Sequence, residues 1–306
     1  MTIAFISHPA CARHSMGHGH PECPERLTAI SDQIIASGLD AALRHYDAPR
    51  VSRAQLLRVH AAEYVDAVIA AAPSEGLVWL DPDTAMGPGT LEAAERAAGA
   101  QVLAVDLVLS ARTTSAFCSV RPPGHHAERA RAMGFCFFNN VAIAAAHALE
   151  EHGLSRVAIV DFDVHHGNGT EQIFGGDSRV LFCSTFQHPF YPYSGADSSS
   201  PNVVNVPLPG GSGSAAFRTA VTNDWLPALA DFAPELVLIS AGFDAHLEDD
   251  MAGLALREAD YAWVTSQVRT VAERFAAGRI VSTLEGGYAL SALGRSVVSH
   301  LKALLA

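Results

Sequence analysis

The stretch Arg156-Val157-Ala158-Ile159-Val160-Asp161-Phe162-Asp163-Val164-His165-His166-Gly167-Asn168-Gly169-Thr170 decides how the chain reads. A short apolar, β-branched run passes into acids and imidazoles and stops at glycine, the pattern of a buried strand that delivers polar groups at its end. Side chains alternate along an extended chain, so Asp161, Asp163 and His165 share one face while Phe162 and Val164 take the other. Buried carboxylates are costly unless cations, a metal or dense hydrogen bonding compensate them, and a bound metal ion is the simplest compensation. A polar strand end open to water is the competing account of this stretch taken alone.

At 306 residues and 49% hydrophobic content the chain can bury a large core, enough for one big α/β domain or two small ones, and no linker divides it. Its 20 Lys and Arg against 32 Asp and Glu leave a net charge of −12, which argues against nucleic acid as a direct partner. No apolar run is long enough to span a bilayer, and Met1 to His8 lacks the basic-then-apolar pattern of a signal peptide. A cytoplasmic protein without a membrane partner is the expectation. Cys11, Cys23, Cys118, Cys136 and Cys183 are scattered and never spaced Cys-x-x-Cys, so they read as reduced thiols, not as a disulfide framework or a thiolate zinc site.

Thr2 to Ser7 reads as a first strand, followed by a loop with His8, Cys11, His14, His18, His20 and Cys23, whose irregular spacing fits a flexible rim better than a metal site. Pro24 opens a helix to about Ser37, and two short helices lie between Ser52 and Ala72. Pro73 to Gly89 reads as a loop, after which Thr90 caps an Ala-rich helix to about Leu109. The strand Ser115 to Val120 empties into Arg121-Pro122-Pro123-Gly124-His125-His126, where paired prolines stiffen the turn that carries two histidines. An aromatic loop then leads to an asparagine cap before the helix Val141 to Glu150.

Beyond the central stretch come a strand at Arg179 to Thr185, an aromatic and proline-rich loop through Tyr191, a short strand at Val203 to Val206 and a helix from about Ser214 to Leu229. The apolar run Glu235 to Ala241 ends at Asp244, Glu258 to Phe275 carries the stripe of a helix lying on a sheet, and Arg279 to Leu284 stops at Glu285-Gly286-Gly287-Tyr288 before a last helix. Strands alternating with helices predict a mostly parallel sheet covered on both faces. The carboxyl ends of such strands form one crevice, and His125, His126, Asp161, Asp163, His165, Asp244 and Tyr288 all sit at strand ends.

Arg121-Pro-Pro-Gly-His-His126, Gly134-Phe-Cys-Phe-Phe-Asn-Asn140, the central stretch from Asp161 to Thr170, Ala241-Gly-Phe-Asp244 and Leu284-Glu-Gly-Gly-Tyr288 together closely resemble the zinc-dependent histone deacetylase family. Asn168 and the Gly-Gly-Tyr form resemble its class II branch, which includes bacterial deacetylase-like amidohydrolases. The resemblance spans nearly the whole chain and implies an arginase-like α/β fold, with residues 1–306 forming one catalytic domain around a mostly parallel sheet of about eight strands. It also implies one zinc ion per chain on Asp163, His165 and Asp244, with positions left for water and the substrate carbonyl. His125 and His126 match the tandem pair that moves protons to and from the water and the leaving amine, in an order left open. Tyr288 matches the oxyanion donor on a glycine hinge, Asp161 the acid behind the first histidine and Asn168 the group behind the second.

By the same resemblance, Gly134, Phe135, Tyr191 and Met251 shape a narrow tunnel. K+ or Na+ is expected near Asp161, Asp163, His165, Ser184 and Thr185, and again at carbonyls around Phe174, Asp177, Val180 and Asn202. Relatives are often dimers or tetramers, so a homodimer or homotetramer is expected.

Three readings compete. A binuclear manganese hydrolase of the same fold needs further acids, whereas His166, Ala245 and His246 stand where they are required. An inactive acyl-amine binding module would not need the complete set of polar groups. By the same resemblance the expected substrate is an acyl-lysine protein or peptide, or an acetylated polyamine: the apolar Met251, where a polyamine-specialised branch carries a glutamate, favours the first, Glu248, Asp249 and Asp250 keep the second open, and Asp83 falls in the loop where some relatives grip a peptide backbone with an acid.

Overall fold

The residues from Val157 to Val160 pack alternately into two separate apolar cores, Val157 and Ile159 into one and Ala158 and Val160 into the other. Leu236 and Leu238 against Val237 and Ile239 repeat the pattern. Strands buried on both faces belong inside a sheet covered on both sides, the setting in which parallel strands are found.

The computed structural model describes residues 2–306. The chain runs β1 (Ile3–Ser7), α1 (Glu25–Ala36), β2 (Leu43–Asp47), α2 (Arg53–Leu56), α3 (Ala62–Ala70), β3 (Val78–Asp81), β4 (Thr84–Met86), α4 (Thr90–Leu109), β5 (Ser115–Cys118), α5 (Asn140–Glu150) and β6 (Val157–Asp161). It continues through α6 (Asn168–Phe174), β7 (Val180–Gln187), β8 (Val203–Leu208), α7 (Ser214–Ala220), a π-helical turn (Val221–Trp225), α8 (Leu226–Phe232), β9 (Leu236–Ala241), α9 (Glu258–Phe275), β10 (Ile280–Leu284) and α10 (Leu290–Leu305). Eight strands form one sheet in the order β2-β1-β5-β10-β9-β6-β7-β8, and every neighbouring pair is parallel. Helices α4 and α5 cover one face, α1, α9 and α10 the other. All carboxyl ends therefore open on one edge, with β5, β10, β9 and β6 side by side at its centre. Among the described residues no helix is long and apolar enough to cross a membrane.

Local features depart from the sequence-based expectations. Leu43–Asp47 is an edge strand that sequence does not announce, because an edge is half-exposed and its Arg44, His45 and Asp47 break the apolar pattern. The segment Pro73 to Gly89 holds the antiparallel hairpin β3–β4. Thr90 is the first residue of α4, not its cap, and its hydroxyl accepts the N–H of Gly87. The helix expected from Ser214 to Leu229 is broken by the π turn and runs on to Phe232.

The histidine-rich loop is not a flexible rim throughout. His14 and Glu22 are fully buried, whereas His18 is exposed.

Candidate active site

Registry across the central strands sets the site. Asp161 ends β6 opposite Ser240 of β9 and Ser184 of β7, so the residues that follow β6 and β9 emerge side by side. Phe162 and Val164 turn into the apolar core, which leaves Asp163 and His165 to face the crevice as alternation requires. There a carboxylate oxygen of Asp163, one of Asp244 and a nitrogen of His165 lie within 4.8 Å of one another, all three residues buried.

Backbone donors hold the acids in place. Asp163 Oδ1 accepts the N–H of His165 at 2.9 Å and Oδ2 that of Gly286 at 2.8 Å, and Asp244 Oδ1 accepts that of Val164 at 2.9 Å. Asp244 Oδ2 has no hydrogen-bond partner and sits 3.2 Å from His165 Nδ1. A buried carboxylate oxygen without a donor, beside a second acid and an imidazole, is the donor set that a dication such as zinc satisfies. Gly242 and Gly286 allow the backbone to pass this close. An added Cβ would meet Asp163 Oδ2 at 2.1 Å or Asp244 Oδ2 at 2.0 Å.

No second metal is supported here. His166 bonds Ser194 and Glu171 at 2.9 and 2.7 Å, and His246 faces Glu258. A further trio, Asp106, His147 and His152, is joined by hydrogen bonds, with Asp106 Oδ1 2.8 Å from Nε2 of each imidazole. The guanidinium of Arg58 lies 2.9 Å from His147 Nδ1, which leaves Nε2 to carry the proton donated to Asp106.

His125 and His126 lie with ring centroids 4.0 Å apart and ring planes tilted by 42°. Their partners differ in charge: Asp161 Oδ2 accepts from His125 Nδ1 at 2.9 Å, whereas the neutral amide oxygen of Asn168 accepts from His126 Nδ1 at 2.8 Å. Burial alone would depress both rings. At His125 the carboxylates of Asp163 and Asp161 outweigh burial and lift it to about 10, while His126, buried beside His125 and His165, is held well below the usual range. A metal on Asp163 takes up part of that acid's influence, but Asp161 remains.

Tyr288 hangs on Gly287, whose φ of 124° glycine adopts readily. The Arg26 guanidinium lies 5.0 Å from the tyrosine ring centroid, and its Nε donates to the Gly287 carbonyl at 2.6 Å. Arg26 and Arg121 are both buried against Glu22. Asp249 holds the other side, its Oδ2 accepting the N–H groups of Tyr288 and Ala289 at 2.6 and 3.0 Å and its Oδ1 that of Met251 at 3.0 Å. The Glu285 carboxylate accepts the N–H of Gly124 at 2.7 Å, tying the histidine turn to the tyrosine hinge, and burial pushes its pKa up to about 7.

A cavity of about 200 Å³ leads to these groups, lined by Asp83, His126, Gly134, Phe135, His165, Phe190, Tyr191, Met251 and Tyr288. All four residues assigned to the tunnel from sequence are on its wall. Phe190 stacks on His165 at 5.6 Å, and the hairpin β3–β4 supports the Phe135 turn, with Asp83 accepting from Gly134 N–H and Thr84 from Phe135 N–H, both at 3.0 Å.

The profile of the histone deacetylase domain matches residues 20–304. The chain belongs to the histone deacetylase family. This deacetylase is 41% identical over 291 residues to the histone deacetylase-like amidohydrolase of Pseudomonas aeruginosa, an alignment covering 93% of this chain and 75% of that protein. It is 37% identical over 326 residues to the human polyamine deacetylase HDAC10, where all of this chain matches 48% of the longer protein. The crystal structure of the HDA15 HD domain superposes with a TM-score of 0.93 at 34% identity, covering 100% of this chain and 90% of that one.

Around the deacetylase site, the residues tied to monovalent cations behave in two ways. Asp161, Asp163, His165, Ser184 and Thr185 are all buried together, and the Ser184 hydroxyl has no hydrogen-bond partner, which fits an ion ligand. The carbonyls of Phe174, Asp177 and Val180 also converge, but Asn202 joins them through its side-chain amide.

Sequence reading misses Glu22, Arg26 and Glu285 as parts of the site, and it places Asp249 among the acids near the tunnel, not at the tyrosine hinge. Only Arg26 leaves a local trace: it shares the buried stripe of α1 with Ile30 and Ile34, where a charge calls for a buried partner.

Proposed function

We propose that this deacetylase removes acetyl or other short acyl groups from the ε-amine of lysine in a protein or peptide. The observation that carries the reading is the narrow, mostly apolar cavity closed at its inner end by His126, His165 and Tyr288. It suits an extended aliphatic chain that presents an amide at its tip. Asp163, His165 and Asp244 would hold a zinc ion, which would supply Lewis acidity toward an amide carbonyl and lower the pKa of a water molecule.

The protein groups divide the remaining work. His126, bonded to a neutral amide, keeps an Nε2 lone pair and acts as the base that takes the proton of the water. His125, paired with Asp161, is biased toward its cationic form, and the proton reaches the departing amine from the histidine pair. The Tyr288 hydroxyl donates to the oxyanion, aided by Arg26 at its ring and hinge.

The choice of lysine over polyamine rests on where the nearby acids point. Glu248 is paired with Arg295 at 2.7 Å and Asp249 is buried on three backbone N–H groups, so neither is free to hold a second ammonium. Of the three acids considered from sequence, Asp250 alone stays exposed without such a partner, and Met251 presents an apolar wall.

The test is turnover of zinc-loaded protein on an acetyl-lysine peptide and on acetylated putrescine and spermidine, with Tyr288→Phe as control. Peptide preference and a loss of at least about 100-fold in kcat for Tyr288→Phe are expected. Polyamine preference would move the function to small-molecule amide hydrolysis. Binding without turnover would mark an inactive acyl-amine module.

A further inference from the structure

The backbone carbonyls of Phe174, Asp177 and Val180 turn toward one point between the end of α6 and the start of β7. The amide nitrogen of Asn202 occupies that point, 2.8, 3.1 and 2.8 Å from the three oxygens. Carbonyl dipoles aimed at a common centre repel one another, so such a cradle needs either a cation stripped of part of its water or a proton donor. Which end of the amide faces the cradle is settled by its other partner: Asn202 Oδ1 accepts the N–H of Gly176 at 2.8 Å, leaving the two N–H bonds for the carbonyls. The backbone carbonyl of Asn202 is engaged as well, accepting the N–H of Phe182 at 2.9 Å. The side-chain amide and the carbonyl of this buried residue are thus satisfied, and an ion could enter only by evicting the side chain.

We infer that the Asn202 amide stands in the place of a second monovalent cation, so that the protein takes one such ion, beside Asp161 and Ser184, and not two. The two positions differ in the way this requires. Ser184 keeps a buried hydroxyl without a partner, whereas the Asn202 cradle is complete. The substitution also has a reach beyond its own loop. Helix α6 begins at Asn168, which bonds His126, and ends at Phe174, which Asn202 ties down. A covalently attached amide therefore fixes the far end of the helix that sets the second histidine, whatever the K+ or Na+ concentration.

The experiment uses crystals of the zinc-loaded full chain soaked in Tl+, with anomalous maps for wild type and Asn202→Gly, alongside thermal unfolding over a K+ series. Wild type is expected to show one Tl+ peak, at Asp161 and Ser184. Asn202→Gly is expected to gain a second among the three carbonyls and to add about 2–3 °C in Tm for each tenfold rise in K+ above half-saturation, over the wild-type response. A wild-type peak at the cradle with Asn202 swung out overturns the inference, and so does Asn202→Gly without a second peak. Should Asn202→Gly fail to fold, Asn202→Asp replaces it. A carboxylate facing three carbonyls requires a cation, so a K+ response no steeper than wild type would overturn the inference equally.

Discussion

Tyr288 owes its position to opposite charges on its two sides. Arg26 lies against the ring and the Gly287 carbonyl, and Asp249 accepts from the tyrosine's own N–H and from the next residue's. The same carboxylate holds Met251, so one buried acid couples two residues of the tunnel wall, Met251 and Tyr288. Asp249→Asn turns one acceptor oxygen into a donor facing backbone donors. It is expected to lower kcat by about 10- to 100-fold with zinc content unchanged, a loss of the size seen when groups behind catalytic residues are altered. Steady-state kinetics in a double-mutant cycle check the route: in a Tyr288→Phe background the Asp249 substitution should add almost nothing, and an additive loss would place its effect elsewhere.

Among the elements, α5 carries the most structure on one residue. Asn139 caps it by accepting the N–H of Ala142 at 3.0 Å, while its amide donates to the Ala127 carbonyl at 3.1 Å and the Thr170 hydroxyl at 3.2 Å. The cap thereby joins the helix start to the histidine turn and to α6. Asn139→Ala loses the cap and leaves buried acceptors unpaired, so urea unfolding should show a loss of about 2–3 kcal/mol. A loss below about 1 kcal/mol would mean that the cap alone matters and the cross-links do not. The hairpin β3–β4 is a second case. Its Asp83 and Thr84 accept the N–H groups of Gly134 and Phe135, so a segment that reads as loop steadies one wall of the tunnel.

The whole molecule keeps several histidines neutral. His60 must be so, because its Nε2 accepts the N–H of Asn139 while Nδ1 faces the Glu128 carbonyl. His300 bridges Thr265 of α9 and Ser282 of β10. Burial depresses the two to about 4 and about 3. The unfolded chain takes up protons below about pH 6.5 while the folded one does not, so the stability these residues confer is complete above that pH. It falls as pH drops toward 4 for His60 and toward 3 for His300, by up to about 1.4 kcal/mol per pH unit for each. Urea midpoints measured from pH 7 to pH 5 should decline, and His300→Gln should flatten the decline by about one proton. An unchanged slope would remove His300 from the account.

Whatever depends on neighbours along the chain can be read before the chain is folded. Apolar runs ending in acids, imidazoles or Gly-Gly-Tyr announce buried parallel strands with polar ends, so the sheet and Asp161, Asp163, His165, Asp244, His125, His126 and Tyr288 were legible without coordinates. The rest depends on which distant segments meet in the fold. Glu22 pairs with Arg121 across nearly a third of the chain, and Asp249, which reads as a rim acid, is spent on the tyrosine hinge. The Asn202 amide finds three carbonyls that no spacing rule connects to it. Alternation is a local property of an extended backbone. The partner of a buried charge or amide is set by how the sheet brings its loops together.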